Sequence, residues 1–250
     1  MNTRITGNTK QADDFPDNRP LYRMFSRVPR RYDLLNRLLT FGLDQRWRKE
    51  AARVCLEFNP KRILDLCSGT GDLAIELARR ADRNTEIIAA DFCQPMLEVA
   101  EQKTLRLGLD GRIAFKIADA AALPFERDYF DVAGIAFGFR NLTFKNPKSG
   151  IYLKEIYRVI ASGGRLVIVE TSQPESILLK TLSRLYYSGV VKPVGNVISR
   201  ERGAYSYLAY SAKNYLDPSD VGHLLTDAGF SSVDYRPLWG GIAAVHAALK

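Results

Sequence analysis

Four carboxylates gather around one short glycine-bearing segment. The sequence runs Asp65-Leu66-Cys67-Ser68-Gly69-Thr70-Gly71-Asp72-Leu73-Ala74, directly after the apolar stretch Arg62 to Leu66. A Gly69-x-Gly71-x-x-Ala74 spacing between a strand-like run and a helical pattern predicts a tight turn. Glycine there lets the backbone approach a ligand closely, and the helix start offers free N–H groups. Asp91 closes the next apolar run, 20 residues past Gly71. That is the position of a carboxylate that accepts hydrogen bonds from both hydroxyls of a ribose. A further acid, Asp119, follows a third run in Ile117-Ala118-Asp119-Ala120-Ala121-Ala122. The pattern therefore points to a nucleoside.

Charge selects among nucleosides. A dinucleotide places a pyrophosphate on this turn, and Asp65 and Asp72 on either side of it would repel that group. S-adenosylmethionine has no phosphate. It presents an ammonium and a sulfonium, both of which favour nearby carboxylates. The charges therefore prefer S-adenosylmethionine to NAD, with Asp65, Gly69, Gly71, Asp91 and Asp119 around it. No metal site is expected: Cys55, Cys67 and Cys93 form no CxxC pair.

The elements that must position these groups read clearly along the sequence. Residues 22–58 are helical, broken at Phe41-Gly42, with Asp44 able to cap a second helix whose apolar face is Trp47, Ala51, Val54 and Cys55. Strands are then expected at 62–66, 86–90, 113–117, 130–137 and 165–170. Helices between them are expected at 72–80, 95–107 and 147–160, the last stopped by Ser162-Gly163-Gly164. Such alternation implies a parallel sheet covered on both faces. Residues 174–213 interrupt it with a helical, basic, tyrosine-rich segment broken at Pro193 and Gly195, read as an insertion or lid. A helix from Asp217 to Gly229 and two strands, 231–238 and 242–249, follow. Their short join at Gly240-Gly241 requires an antiparallel pair. The expected architecture is an α/β, Rossmann-like, seven-stranded sheet with an antiparallel last strand, similar to class I methyltransferases. Residues 1–20 read as a disordered polar tail and 21–250 as one domain.

Two longer stretches carry a family resemblance. Tyr32-Asp33-Leu34-Leu35-Asn36-Arg37 through Gly42-Leu43-Asp44-Gln45-Arg46-Trp47-Arg48 resembles the amino-terminal signature of the ubiquinone/menaquinone biosynthesis C-methyltransferases. Arg140-Asn141-Leu142-Thr143, with Glu155-Ile156-Tyr157-Arg158 and Gly163-Gly164-Arg165-Leu166, resembles their second signature, and Gly240 to His246 resembles their tail. The resemblance implies S-adenosylmethionine contacts at Thr70, Asp91, Asp119 and Ala120. Two departures stand out: Ala136 where the family often has serine, and Cys67 where methyltransferases at large usually have glycine.

It also implies methylation of a polyprenylated quinol ring carbon, demethylmenaquinol in menaquinone biosynthesis or a methoxy-benzoquinol in ubiquinone biosynthesis. A ring carbon ortho to an ionising hydroxyl attacks the sulfonium methyl in line, so catalysis is positioning plus stabilisation of a phenolate. Arg140 and Asn141, beyond the fourth strand, are the expected catalytic residues. Arg140 stays protonated, so it partners the phenolate or orients a water rather than acting as a base. Tyr32, Asp33 and Asn36 are expected to line the quinol pocket. His223 and His246 read as structural.

The net charge of +8 suits an anionic membrane surface or nucleic acid. No separate RNA-binding module is visible, so an RNA or other small-molecule methyltransferase ranks below a quinol methyltransferase. A polyprenyl substrate favours peripheral membrane contact. In residues 176–202, Leu178, Leu182 and Leu185 share a helical face with Lys180, Arg184, Lys192, Arg200 and Arg202 interleaved, as an amphipathic lid would. Packing on the sheet or in a homodimer fits the same face. Cysteine usage and the absence of a signal-like leader suggest the cytoplasm, at the inner face of the membrane.

Overall fold

The computed structural model describes residues 19–27, 29–191, 193–194 and 202–250. Most of the tail read at 1–20, and Lys192, Gly195 and Arg200 of the expected lid, lie outside the described residues. Helices α1 (Arg19–Arg27), α2 (Pro29–Leu39) and α3 (Leu43–Leu56) come first. Then follow β1 (Arg62–Leu66), α4 (Asp72–Arg80), β2 (Glu86–Asp91), α5 (Gln94–Arg106), β3 (Ala114–Ile117) and β4 (Phe130–Ala136). Next come α6 (Phe139–Thr143), α7 (Ser149–Val159), β5 (Ile160–Thr171), α8 (Ile177–Tyr186), α9 (Arg202–Lys213), α10 (Pro218–Asp227), β6 (Ser232–Leu238) and β7 (Ala243–Leu249).

The seven strands form one sheet in the order β3-β2-β1-β4-β5-β7-β6. Strand β7 is antiparallel to both neighbours, and the two-glycine join demands this of its pairing with β6. Gly240 and Gly241 turn there with φ of 68° and 90°. Alternate strand residues serve opposite faces. Ile63, Ile87, Val132, Val167 and Val245 pack against Trp47, Ala51 and Cys55 of α3 and Leu73 and Leu77 of α4. Leu64, Leu66, Ile135 and Ile168 pack against Leu153 and Ile156 of α7 and Val221 and Leu225 of α10. The strand order reverses between β1 and β4, and ligands of open α/β sheets lie beyond the strand ends at that point.

A smaller apolar cluster closes this end. Leu35 and Leu39 of α2 pack with Val191 and with Ala209 of α9, and Met24, Tyr186 and Tyr187 lie against them. The Tyr186 hydroxyl donates to Leu39 O at 2.6 Å. Helices α1 and α2 and the described parts of 174–213 thus form a common cap, joining residues 147 positions apart.

Three details differ from the sequence expectations. Helix α3 starts after Gly42 in the left-handed region (φ 75°), and Asp44 lies inside its first turn, paired with Arg48, rather than capping it. Helix α6 has no counterpart among the expected elements, because five residues are too few to show a helical period. Strand β5 begins at Ile160, so Ser162-Gly163-Gly164 lies within it. The register slips between Phe130 and Val132, and the glycines form the bulge. Gly163 has φ 77° and donates its N–H to Lys250 O, while a Cβ on Gly164 would stand 2.7 Å from Asp131 O.

Candidate active site

The carboxyl ends of β1, β2, β3 and β4 open on a cleft. Asp65, Ser68, Gly69, Thr70, Asp91, Asp119 and Ala120 line it, with Tyr32, Arg48, Phe137 and Asn141.

The turn after β1 is built for close approach. Cys67, Gly69 and Gly71 all take left-handed backbone (φ 55°, 54° and 78°). A Cβ on Gly71 would sit 2.9 Å from the Ala100 Cβ, so glycine lets α5 pack against the turn. Cys67 adopts a conformation that explains why glycine is usual at its position; any residue with a Cβ is strained there by about 1 kcal/mol. Gly138, after β4, fits against it: a Cβ there would lie 2.5 Å from the Cys67 Cβ.

The carboxylates are positioned by backbone N–H groups. Asp65 is almost wholly buried (1% exposed), and its Oδ2 accepts from Ala74 N at 2.9 Å. Its Oδ1 has no partner among the described residues, though it lies at the cleft wall. Burial pushes its pKa up to about 8; the Ala74 N–H opposes this and the Asp91 charge adds to it. A buried acceptor left without a donor is the feature a cationic ligand would complete, and it fits the ammonium of S-adenosylmethionine. Asp91 accepts from Gly69 N and Cys93 N, each at 2.8 Å, which joins the turns after β1 and β2. Burial raises its pKa to about 6 against the pull of these N–H groups. Asp119 Oδ1 accepts from Ala121 N at 2.9 Å, placing buried Ala120 beside it on the wall.

The three residues expected at the quinol pocket separate. Tyr32 lines the cleft, and burial raises its pKa while the charge of Arg48 pulls it back. Asn36 stands beside the Tyr32 hydroxyl. Asp33 turns to the rim instead. It accepts from Thr70 Oγ1 at 2.5 Å and from Lys103 Nζ at 2.7 Å, and Lys103 also meets Asp72. These bonds pin α2 to the turn after β1 and to α5.

Of the expected catalytic pair, Asn141 lines the cleft and Arg140 does not. The Arg140 side chain is buried under α9. Its Nη1 donates to Ser211 Oγ at 2.7 Å and Leu208 O at 3.2 Å, and Nε stands 3.6 Å from Glu170 Oε1. Glu170 also accepts from the Arg140 backbone N–H at 3.1 Å.

Arg48, Lys103, Glu170 and Ser211 carry no assignment from sequence. Arg48 sits inside the first signature, and its four-residue spacing from Asp44 is a legible signal of pairing. The others come from distant segments with no shared motif. His246 is buried against the Tyr235 ring, and burial lowers its pKa to about 4, in keeping with a structural residue.

Residues 13–250 match the model of the ubiE/COQ5 methyltransferase family. A demethylmenaquinone methyltransferase of Thermus thermophilus is 46% identical over 89% of this chain and 98% of its own. A ubiquinone/menaquinone biosynthesis C-methyltransferase of Pectobacterium carotovorum is 38% identical over 91% of this chain and 89% of its own. The crystal structure of a putative S-adenosyl-L-methionine-dependent methyltransferase from Methanococcus maripaludis shares the fold, with a TM-score of 0.59 and 22% identity over 89% of this chain and 91% of that one. A sheet that reverses at a carboxylate-lined turn, and similarity over nearly the whole length, lead to one conclusion: the protein belongs to the ubiE/COQ5 methyltransferase family.

Proposed function

We propose that this protein methylates a ring carbon of demethylmenaquinol in menaquinone biosynthesis, with the related methoxy-benzoquinol of ubiquinone biosynthesis as the alternative substrate. The observation that carries the reading is the cleft, where the unpartnered Asp65 Oδ1 shares one cavity with Tyr32, Phe137 and Asn141. The naphthoquinol is preferred because the 46% identical relative carries that name.

S-adenosylmethionine supplies an electrophilic methyl group. Asp65 draws its ammonium, Asp91 accepts from the ribose hydroxyls, and Asp119 with the Ala120 N–H meets the adenine edge. Gly69 and Gly71 let the turn come close, and Thr70 ties that turn to α2 through Asp33. Phe137, Leu142 and Tyr152 give the remaining wall an apolar surface suited to a flat ring. Asn141 holds the reacting hydroxyl or a water beside it. Arg140 acts through position: fixed by Glu170 and Ser211, it keeps α6, and hence Asn141, at the end of β4. Its charge also reaches Tyr32 across the cap.

The cap also offers a path for a prenyl tail. Helix α8 has no buried residue, and Ile177, Leu178, Leu182 and Leu185 are exposed, with Lys180 and Arg184 among them. Phe41, also exposed, stands 6.3 Å from Tyr186 at the end of that helix. Among the described residues no helix is long and apolar enough to cross a membrane. An exposed apolar face among cations suits a peripheral contact with anionic lipid.

Methyl transfer from labelled S-adenosylmethionine to reduced demethylmenaquinol, and separately to the demethylated benzoquinol, tests the reading. Label in the naphthoquinol ring is expected. Label in the benzoquinol alone moves the assignment to the alternative, and label in neither removes the quinol reading.

A further inference from the structure

We infer that Arg48 receives the carboxylate of the methionine moiety of S-adenosylmethionine, in the same cleft as the Asp65 assigned to its ammonium. The charge balance of the cleft motivates this. Asp65, Asp72, Asp91 and Asp119 line it, and Arg48 is the one cation among the described residues that do so. Among the described lining residues a carboxylate brought into that cavity finds a side-chain cation only at Arg48, since Asp72 offsets the helix dipole at the start of α4.

The guanidinium is held ready. Arg48 is 6% exposed, so its position is fixed by packing. Its Cζ lies 4.9 Å over the Phe137 ring, a favourable seat for a planar cation. Asp44 Oδ2 accepts from Nη1 at 2.6 Å, and Asp72 Oδ2 stands 4.0 Å from the same nitrogen. Both protein carboxylates therefore address Nη1. The edge formed by Nε and Nη2 has no acceptor among the described residues, and a paired N–H edge is the geometry that takes a carboxylate with two parallel bonds. Asp44 and Phe137 thus orient Arg48 without occupying the edge that a ligand needs. The sequence signature holding Trp47-Arg48 gains a role: Trp47 packs on Phe137 at 6.0 Å and so supports the ring beneath the cation.

This inference rests on the cleft being the cofactor site, and the experiment separates the two. Calorimetric binding of S-adenosylmethionine is compared with that of decarboxylated S-adenosylmethionine, which keeps both positive charges and lacks only the carboxylate. The unmodified protein should bind the full cofactor about 10- to 100-fold more tightly, as expected for hydrogen bonds to a charged group. Arg48→Gln should remove that preference by weakening the full cofactor about 10- to 100-fold while changing the decarboxylated one by about threefold or less. Asp44→Asn with Arg48→Gln removes the stranded acid and serves if the single variant does not fold. Equal weakening of both ligands in the paired variant, or no preference in the unmodified protein, overturns the assignment. Asp91→Ala should weaken both ligands alike. If it weakens neither, the cleft itself is not the cofactor site, and that failure is distinct from an Arg48 variant that does not discriminate.

Discussion

Replacing Asp65 with asparagine should stabilise the ligand-free protein and at the same time damage cofactor binding. Folding moves the Asp65 carboxyl from an ordinary 3.8 to about 8, because burial disfavours its charge. The folded protein therefore keeps a proton that the unfolded one releases above about pH 4. That group's contribution is intact below about pH 4 and is lost as pH climbs toward about 8. Keeping the proton at pH 7 costs about 4 kcal/mol at about 1.4 kcal/mol per pH unit. Asparagine is neutral at every pH, and its carbonyl can still accept from Ala74 N. Its own buried amide takes back about 1–3 kcal/mol, so a net gain of about 1–3 kcal/mol is expected near neutral pH and just above. For a protein of this size that raises Tm by about 2–10 °C. Below about pH 4.5 the gain should vanish. Urea unfolding of both proteins from about pH 4.5 to 8, with calorimetric titration of S-adenosylmethionine, measures the two effects together. Affinity should fall about 10- to 100-fold, since an N–H replaces the acceptor proposed for the ammonium. A stability difference independent of pH, or an unchanged affinity, would refute the reasoning.

Other outcomes follow from the same contacts. Gly138→Ala should cost about 1–3 kcal/mol, because the new Cβ meets the Cys67 Cβ at 2.5 Å, and Cys67→Gly should recover most of the loss in a double variant followed by urea unfolding. Lys103→Met takes the shared ammonium from Asp33 and Asp72 and leaves α2 held at this point by the Thr70 bond alone, so it should loosen α2 by about 1–3 kcal/mol; faster amide exchange confined to residues 19–39 is the expected sign, and unchanged exchange there counts against the latch. The folded His246 pKa of about 4 lies below the unfolded 6.5, so its contribution is intact above pH 6.5 and is lost as pH falls toward 4. That loss is about 3 kcal/mol, and His246→Leu should flatten the acid limb of the stability curve between those pH values.

Much of the site is legible in the sequence, and the reason is local. The turn from Asp65 to Ala74 needs glycine at Gly69 and Gly71 for a left-handed backbone, and it needs a strand before it and a helix after it. Those requirements fall on adjacent residues, so a short stretch of sequence displays all of them. Asp91 and Asp119 are equally readable, since a parallel βα unit ends each strand at the same edge. The class of cofactor follows from charge alone, because Asp65 and Asp72 flank the turn whatever the packing.

Partners from different segments leave no such trace. The bond from Thr70 to Asp33 spans 37 positions, and that from Arg140 to Ser211 spans 71. No spacing rule connects them. The repeated leucines of α2 mark a helix but not its buried side: Leu35 and Leu39 are buried, while Leu34 and Leu38 are more than half exposed. Only docking against Val191 and α9 makes that choice. The sequence places Arg140 after β4, yet its direction depends on Glu170 and Ser211, contributed by β5 and α9. Arg48 shows the same division. Its pairing with Asp44 is a helix repeat, but its place on the cleft wall exists only once α3 lies against β4 and Phe137 turns beneath it. Local backbone demands and net charge are written in neighbouring residues; the direction of a buried charged side chain is set by whichever distant groups desolvate and bond it.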